Sequence, residues 1–182
     1  MAREIKTQSA KETFVETDTR ITIPIAVILD RRIDTSGKWS FPSWHVFSIV
    51  TGEDITANDQ RVTEHDGGKI KRFYWSGLKL NLYKDGSEGY WYNLLSQTPY
   101  LFVICDGEVG DMEVKPRYVT ANQDEANGHL ESDDLVLSIA MPASIRQLLE
   151  QYVIAHYRPV KKKKRKRKDW LEDSLYAKKN RH

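Results

Sequence analysis

The stretch Ile21-Thr22-Ile23-Pro24-Ile25-Ala26-Val27-Ile28-Leu29, closed by Asp30-Arg31-Arg32, decides the fold class. Its β-branched side chains crowd a helical turn but suit a pleated surface, so the run predicts a strand. Pro24 has no N–H to give a ladder, which puts the first half of that strand at an edge or a bulge. The closing Asp-Arg-Arg ends the apolar run abruptly. It sets two guanidinium groups at a strand end, where they can bind an anion or stack on Trp44. The plainer alternative is a surface ion pair with acidic neighbours.

Working outward, Ser43 to Thr51 predicts a second strand. Trp44, Val46, Ser48 and Val50 alternate there with His45, Phe47 and Ile49, so both faces are partly apolar. Residues 52–67 run polar into Asp66-Gly67-Gly68 and read as a loop. Lys69 to Trp75 and Leu78 to Tyr83 read as two strands joined by a Ser76-Gly77 hairpin turn. Asp85-Gly86-Ser87-Glu88 has capping-box spacing and predicts a short helix through Trp91, Leu94 and Leu95. Tyr100 to Cys105 and Glu113 to Ala121 are the next strands. Asn122-Gln123-Asp124-Glu125 repeats the capping spacing before a short helix to Leu130, and Leu135 to Ile139 is a further strand. Pro142 suits a first helical position. Ile145, Leu148, Leu149, Tyr152, Val153 and His156 then recur at helical spacing. The order predicts an α+β fold: a mainly antiparallel sheet with two short helices and a C-terminal amphipathic helix packed on one face.

The 182 residues are 40% hydrophobic and 30% charged, which fits one domain with a real core. Residues 1–19 predict a disordered lead-in, 20–158 a single α+β domain, and 159–182 a basic tail with a short amphipathic segment. The tail carries eleven Lys and Arg against three Asp and Glu, while residues 1–158 carry 17 against 23. A mildly acidic body thus meets a cationic appendage. With no bilayer-length apolar run and no hydrophobic leader region after Met1, the expectation is a soluble, cytoplasmic protein with no membrane span.

Catalytic signatures are missing. There is no glycine-rich phosphate loop and no nucleophile elbow. The histidines His45, His65, His129, His156 and His182 share no metal-ligand spacing, and His156 reads as a semi-buried histidine at a helix end. Cys105 is the only cysteine and follows Phe102-Val103-Ile104, which predicts a buried structural thiol rather than a nucleophile. The expectation is a non-enzyme with no metal and no cofactor. The aromatic triplets Phe73-Tyr74-Trp75 and Tyr90-Trp91-Tyr92 cannot all point inward, so some of them would mark a partner or ligand surface or else be core. Candidate partner-binding residues are Arg31, Arg32, Trp44, Tyr74, Trp91, Trp170 and Leu171. Lys161, Lys162, Lys163, Lys164, Arg165, Lys166, Arg167 and Lys168 form a solvated cationic run able to contact phosphates, anionic lipid or an acidic protein face.

Taken together, Ile23 to Arg32, Trp44, Arg72-Phe73-Tyr74 leading into Leu78-x-Leu80-x-Leu82, Tyr92-Asn93-Leu94, Pro99, Val103, Val119-Thr120, Glu125-Ala126, Met141-Pro142 and His156-Tyr157 before the Lys/Arg run form an ordered set. Over about residues 20–168 this order resembles a family of small uncharacterised proteobacterial proteins. Their genes commonly stand beside those of molybdenum-dependent formate dehydrogenase and its chaperones. The resemblance implies a bacterial, non-catalytic accessory protein that supports assembly or regulation of that enzyme, with the dehydrogenase or a maturation factor as protein partner. It carries no established activity. A link of some members to molybdopterin-guanine dinucleotide synthesis finds no support here, because the first strand ends in Asp-Arg-Arg and not in a glycine-rich loop. The alternatives are a nucleic-acid-binding module that uses the tail, and a small-ligand-binding domain.

Overall fold

The computed structural model describes residues 20–33, 41–52, 55, 59–66 and 69–159. In chain order these form β1 (Arg20–Ile33), β2 (Pro42–Thr51), β3 (Gln60–His65), β4 (Ile70–Tyr83), α1 (Ser87–Leu95), β5 (Tyr100–Asp106), β6 (Lys115–Thr120), α2 (Gln123–Glu131), β7 (Leu135–Ala140) and α3 (Ala143–His156). The strands make one sheet in the order β2-β1-β4-β6-β5-β7, with β3 added beside β4.

Strand β4 organises this sheet. One of its edges pairs antiparallel with β1 from end to end. Its other edge is shared: Ile70 to Trp75 pair with β3, and Leu80 pairs in parallel with Val119 of β6. The two ends of the path, β2 and β7, lie against each other, so the sheet curls into a nearly closed barrel. The α+β class stands, but the expected mainly antiparallel sheet is corrected to a mixed one. The chain leaves β4 through α1, and the β5–β6 hairpin then returns β6 alongside β4 in the same direction. Alternation in a sequence marks a strand and its buried face without naming its neighbour.

Two further expectations are corrected. Ser76-Gly77 is not a hairpin turn, because β4 continues straight through it. The β1–β4 register slips between Ile25 and Val27, opposite these two residues, and Gly77 takes φ 78°. That combination is a bulge, in which a residue without Cβ absorbs the left-handed conformation. The segment 52–67 is not all loop, since β3 lies inside it. Every β3 residue is exposed, so the strand has no apolar alternation to reveal it, and β4 supplies its only sheet pairing among the described residues. The element order came out as anticipated only because the split of β4 offset the missed β3.

Period-two alternation along β1 sends Ile21, Ile23, Ile25, Val27, Leu29 and Arg31 to the inner face and Thr22, Ala26, Ile28, Asp30 and Arg32 to the outer one. The inner row meets Leu78, Leu80 and Leu82 of β4. Helices α1 and α3 pack on one another, and Tyr90, Ile145, Leu149, Tyr152 and Val153 join this core. Each such buried side chain contributes about 1.5–3 kcal/mol. The capping box expected before α1 does not form. A 3-10 turn at Lys84–Gly86 leads in, and the N-cap Gly86 offers no side chain. Ahead of α2 the Asn122 side chain does cap, accepting from the Asp124 N–H at 3.0 Å. Among the described residues, no helix is long and apolar enough to cross a membrane.

Candidate functional site

Asp30, Arg31 and Arg32 are consecutive, so alternation drives Arg31 inward and its neighbours outward. On the outer face Asp30 stands directly opposite Arg72 of β4. Arg72 donates from both Nε and Nη2 to the two carboxylate oxygens, at 2.7 and 2.9 Å. Asp30 is only 2% exposed, whereas Arg72 reaches the surface. This hydrogen-bonded fork raises the Arg72 pKa further above its ordinary value. The guanidinium also lies over the Phe47 ring, 3.3 Å from its centroid. Phe47 is 50% exposed and sits where β2 skips a residue against β1. One row along, Arg61 of β3 lies 5.6 Å over Tyr74. The outer face therefore presents two cation–aromatic stacks, one of them anchored by a buried carboxylate, with exposed Arg32 and His45 beside them.

On the inner face Arg31 is 8% exposed. Its Nη1 donates to the Met112 carbonyl at 2.6 Å, and its guanidinium carbon lies 6.0 Å from the Trp44 ring and 5.7 Å from the Phe73 ring. Trp44 packs on Phe73 at 5.1 Å and donates from Nε1 to the Asp111 carbonyl at 2.8 Å. These two bonds strap residues 107–113 across the barrel mouth, a turn that relies on positive φ at Gly107 and Gly110. Beside the strap opens a cavity of about 550 Å3, lined by Trp44, Phe73, Trp75, Gln60, Glu113 and Lys115 among others. The Arg31–Trp44 stack exists, but in the interior. The ion pair belongs to Asp30 and Arg72, and it is half-buried rather than superficial.

A second polar constellation has no signature in the sequence. Asp134 Oδ2 lies 2.6 Å from His129 Nδ1 and accepts from Arg117 at 3.1 Å. His129 Nε2 contacts the Tyr118 hydroxyl, which also donates to Glu125 at 3.1 Å. Glu125 accepts from Thr120 at 2.6 Å. The His129 contact holds the Asp134 carboxyl below the usual carboxylate range. Burial, and then Glu125, push the Tyr118 phenol up to about 12, so it keeps its proton at neutral pH. The network ties α2 to β6 and to the start of β7. Its residues are 17 positions apart at most, but they lie on different elements at no recognisable motif spacing. No group of three or more metal-ligating side chains occurs among the described residues.

The aromatic triplets divide between faces. Phe73 and Trp75 line the inner cavity and Tyr74 faces outward; Tyr90 is buried, Trp91 packs on Tyr157 at 5.9 Å and Tyr92 is exposed. So Arg32 and Tyr74 share the outer face, Arg31 and Trp44 lie inside, and Trp91 sits apart at the α1–α3 end. Cys105 is buried, and burial pushes its thiol up to about 12. Trp170, Leu171 and Lys161 to Lys168 lie outside the described residues.

A family model described as "Protein of unknown function (DUF3305)" matches residues 24–167. No curated protein and no solved structure matches the chain.

Proposed function

The chain belongs to the family of proteins of unknown function DUF3305, and from that premise we propose a non-catalytic accessory protein acting through protein–protein contacts. Its partner in this reading is a molybdenum-dependent formate dehydrogenase or one of that enzyme's maturation factors, in the cytoplasm of a bacterium. The observation that carries the contact role is the outer sheet face. Phe47 and Tyr74, each under a guanidinium, form a rigid patch rich in aromatic and Arg side chains, the types that dominate binding energy at interfaces. Asp30 holds Arg72 in place before any partner arrives, which lowers the ordering cost of binding. The choice of formate dehydrogenase rests on the family resemblance of the sequence alone.

The test is retrieval of the tagged full chain from cells growing with formate, followed by mass spectrometry, alongside deletion of its gene. Formate dehydrogenase or a maturation factor should co-purify with the wild type and be depleted with Phe47→Ala/Arg61→Glu. Unchanged formate oxidation and cofactor loading in the deletion strain would overturn the reading. The cationic run supports a competing nucleic-acid reading. Sequence-blind duplex binding with a salt slope of about −0.9 per neutralised phosphate, lost with Lys161 to Lys168 and indifferent to Trp170→Ala/Leu171→Ala, would put that reading ahead.

A further inference from the structure

Acidic side chains gather in one part of the chain. Residues 106–134 carry nine Asp and Glu against two Lys and Arg. Between the 107–113 strap and the turn from α2 into β7 opens a groove of about 530 Å3. Its apolar lining comes from Val109, Leu130, Leu135 and Val136, of which Val109 is 89% and Leu130 55% exposed. Glu108, Asp133 and Asp134 rim it, and Glu131 follows Leu130 at the end of α2. Asp134 is held by His129 and Arg117. Glu108, Glu131 and Asp133 are exposed and enter no ion pair among the described residues. The groove therefore offers an apolar floor under an unneutralised acidic rim.

The chain's own order of residues fits this surface. Tyr157, just past α3, packs on Trp91 of α1. Helix α1 in turn meets the start of α2, where a Cβ on Gly89 would collide with the Asn122 side chain. Asp124 and Glu131 stand seven residues apart on α2, so they share one helical face, and both are exposed. Leu130 then enters the groove about 12 Å along α2 from Asn122. From Arg158 to Trp170 an extended chain reaches about 40 Å, which covers this route. Along it the acidic face of α2 comes first and the apolar groove second. Along the chain the cations Lys161 to Lys168 come first and Trp170-Leu171 second.

We propose that the groove between the 107–113 strap and the α2–β7 turn is the docking site of the chain's own segment 161–171. The cationic run lies against Asp124, Glu131, Asp133 and Glu108, and Trp170 and Leu171 fill the apolar floor. The contact occupies the cations, so phosphates or an acidic partner must displace the groove to reach them. A second copy could bring the same segment, but a tether this short holds the chain's own copy at an effective concentration on the order of millimolar.

The test keeps the full chain. Cys105 is buried, so Ser174→Cys supplies one reactive thiol for a nitroxide. In isotope-enriched chains that carry the label, the amide signals of Val109, Leu130 and Val136 should broaden. In an equal mixture of labelled unenriched chains and enriched unlabelled chains they should stay sharp. Neutralising the rim with Glu108→Gln/Glu131→Gln/Asp133→Asn should abolish the broadening, as should about 0.5 M salt. All three residues are exposed, and Asn tolerates the φ of 61° at position 133, so the melting temperature should hold. Trypsin should cut within residues 161–168 about fivefold faster in the rim variant and in Trp170→Ala/Leu171→Ala than in the wild type. Sharp signals in the labelled chain, broadening centred elsewhere on the body, or cleavage indifferent to the rim would each overturn the proposal. Broadening that persists in the mixture would overturn it in favour of a second copy. None of these results bears on the outer face.

Discussion

Asn93 offers the sharpest test of how the helices are held on the sheet. It lies in α1, is 2% exposed, and uses its whole amide. Nδ2 donates to the Tyr100 carbonyl at 2.7 Å and to the Ala121 carbonyl at 2.8 Å, and Oδ1 accepts from the Tyr100 N–H at 3.0 Å. One side chain thus ties α1 to the start of β5 and to the end of β6. Asn93→Leu keeps the bulk and removes all three bonds, leaving backbone groups in a site closed to water. Each group stranded in this way costs about 1–3 kcal/mol, and the three share one neighbourhood, so the total should fall near 3–6 kcal/mol. With a urea m-value of about 2 kcal/mol/M, the midpoint should drop by about 1.5–3 M. Asn93→Asp should be at least as damaging, since it points a carboxylate oxygen at two carbonyls. Tyr92→Ala, one residue away and exposed, is the control and should move stability by no more than about 0.5 kcal/mol. The assay is equilibrium urea unfolding followed by tryptophan emission and by far-ultraviolet circular dichroism. A shift for Asn93→Leu no larger than that of Tyr92→Ala would refute the claim that this amide holds α1 in place.

Other consequences can be checked alongside it. Asp30→Ala should cost about 2–4 kcal/mol in thermal unfolding, toward the low side for a broken ion pair because Arg72 can turn to water. Gly77→Ala should lower stability by about 1–2 kcal/mol, because φ 78° is unfavourable for any residue with a Cβ. Cys105 should resist thiol reagents at pH 8 in the folded chain and react as one equivalent on unfolding, because burial raises its pKa to about 12. Tyr90, Cys105 and Tyr118 all have folded values raised to about 12, so the native state holds their protons longer than the unfolded chain does. The stability they contribute is complete below the unfolded values of about 8.5 for Cys and about 10 for Tyr, and is lost as pH rises toward 12. Denaturation midpoints should therefore fall between about pH 9 and 12, and flat midpoints across that range would count against these burial assignments.

Much of the architecture was legible because burial writes itself into composition. The apolar run of β1, the Leu78-Leu80-Leu82 alternation and the Ile145 to Val153 stripe all announce themselves through side chains that must leave water. What stayed hidden shows where that signal ends. Strand β3 is joined to β4 by main-chain pairing, the Glu64–Lys71 ion pair and the Arg61–Tyr74 contact, and with Val62 as its one apolar residue it carries no alternation to announce it. The Ser76-Gly77 pair carries turn chemistry, yet a bulge uses the same left-handed glycine as a turn, and only the partner strand decides between them. The parallel β4–β6 contact is a property of topology. At the site, Arg31, Arg32, Trp44 and Tyr74 were picked out as residue types, but not the two faces to which they divide. Asn93 stands in the sequence only as part of Tyr92-Asn93-Leu94, and nothing local shows that its amide bridges Tyr100 and Ala121. The Tyr118–His129–Asp134 network spans β6, α2 and the turn before β7, so no local spacing could suggest it.

The division of Asp30 and Arg31 between faces matters most for the site, because it lets one strand set a charge on the outer surface and another in the interior. Asp30 takes two of the five N–H donors of Arg72 and offsets its charge, so the outer face offers a paired, pre-set guanidinium on an aromatic ring. That is a surface for shape and stacking, and its affinity should depend weakly on salt. Arg31 meets no carboxylate among the described residues and instead donates to the Met112 carbonyl beneath the Trp44 and Phe73 rings, so it serves the interior and holds the 107–113 turn. Had the register been one residue different, Arg72 would oppose Arg31 and Asp30 would face the core, leaving two cations facing each other and a carboxylate among leucines. The bulge at Ser76-Gly77 prevents this. It shifts β4 by one residue against β1 while keeping Leu78, Leu80 and Leu82 inward on one side and Phe73 and Trp75 inward on the other. A strand without it would have to give up either the core or the arrangement of charges at the site.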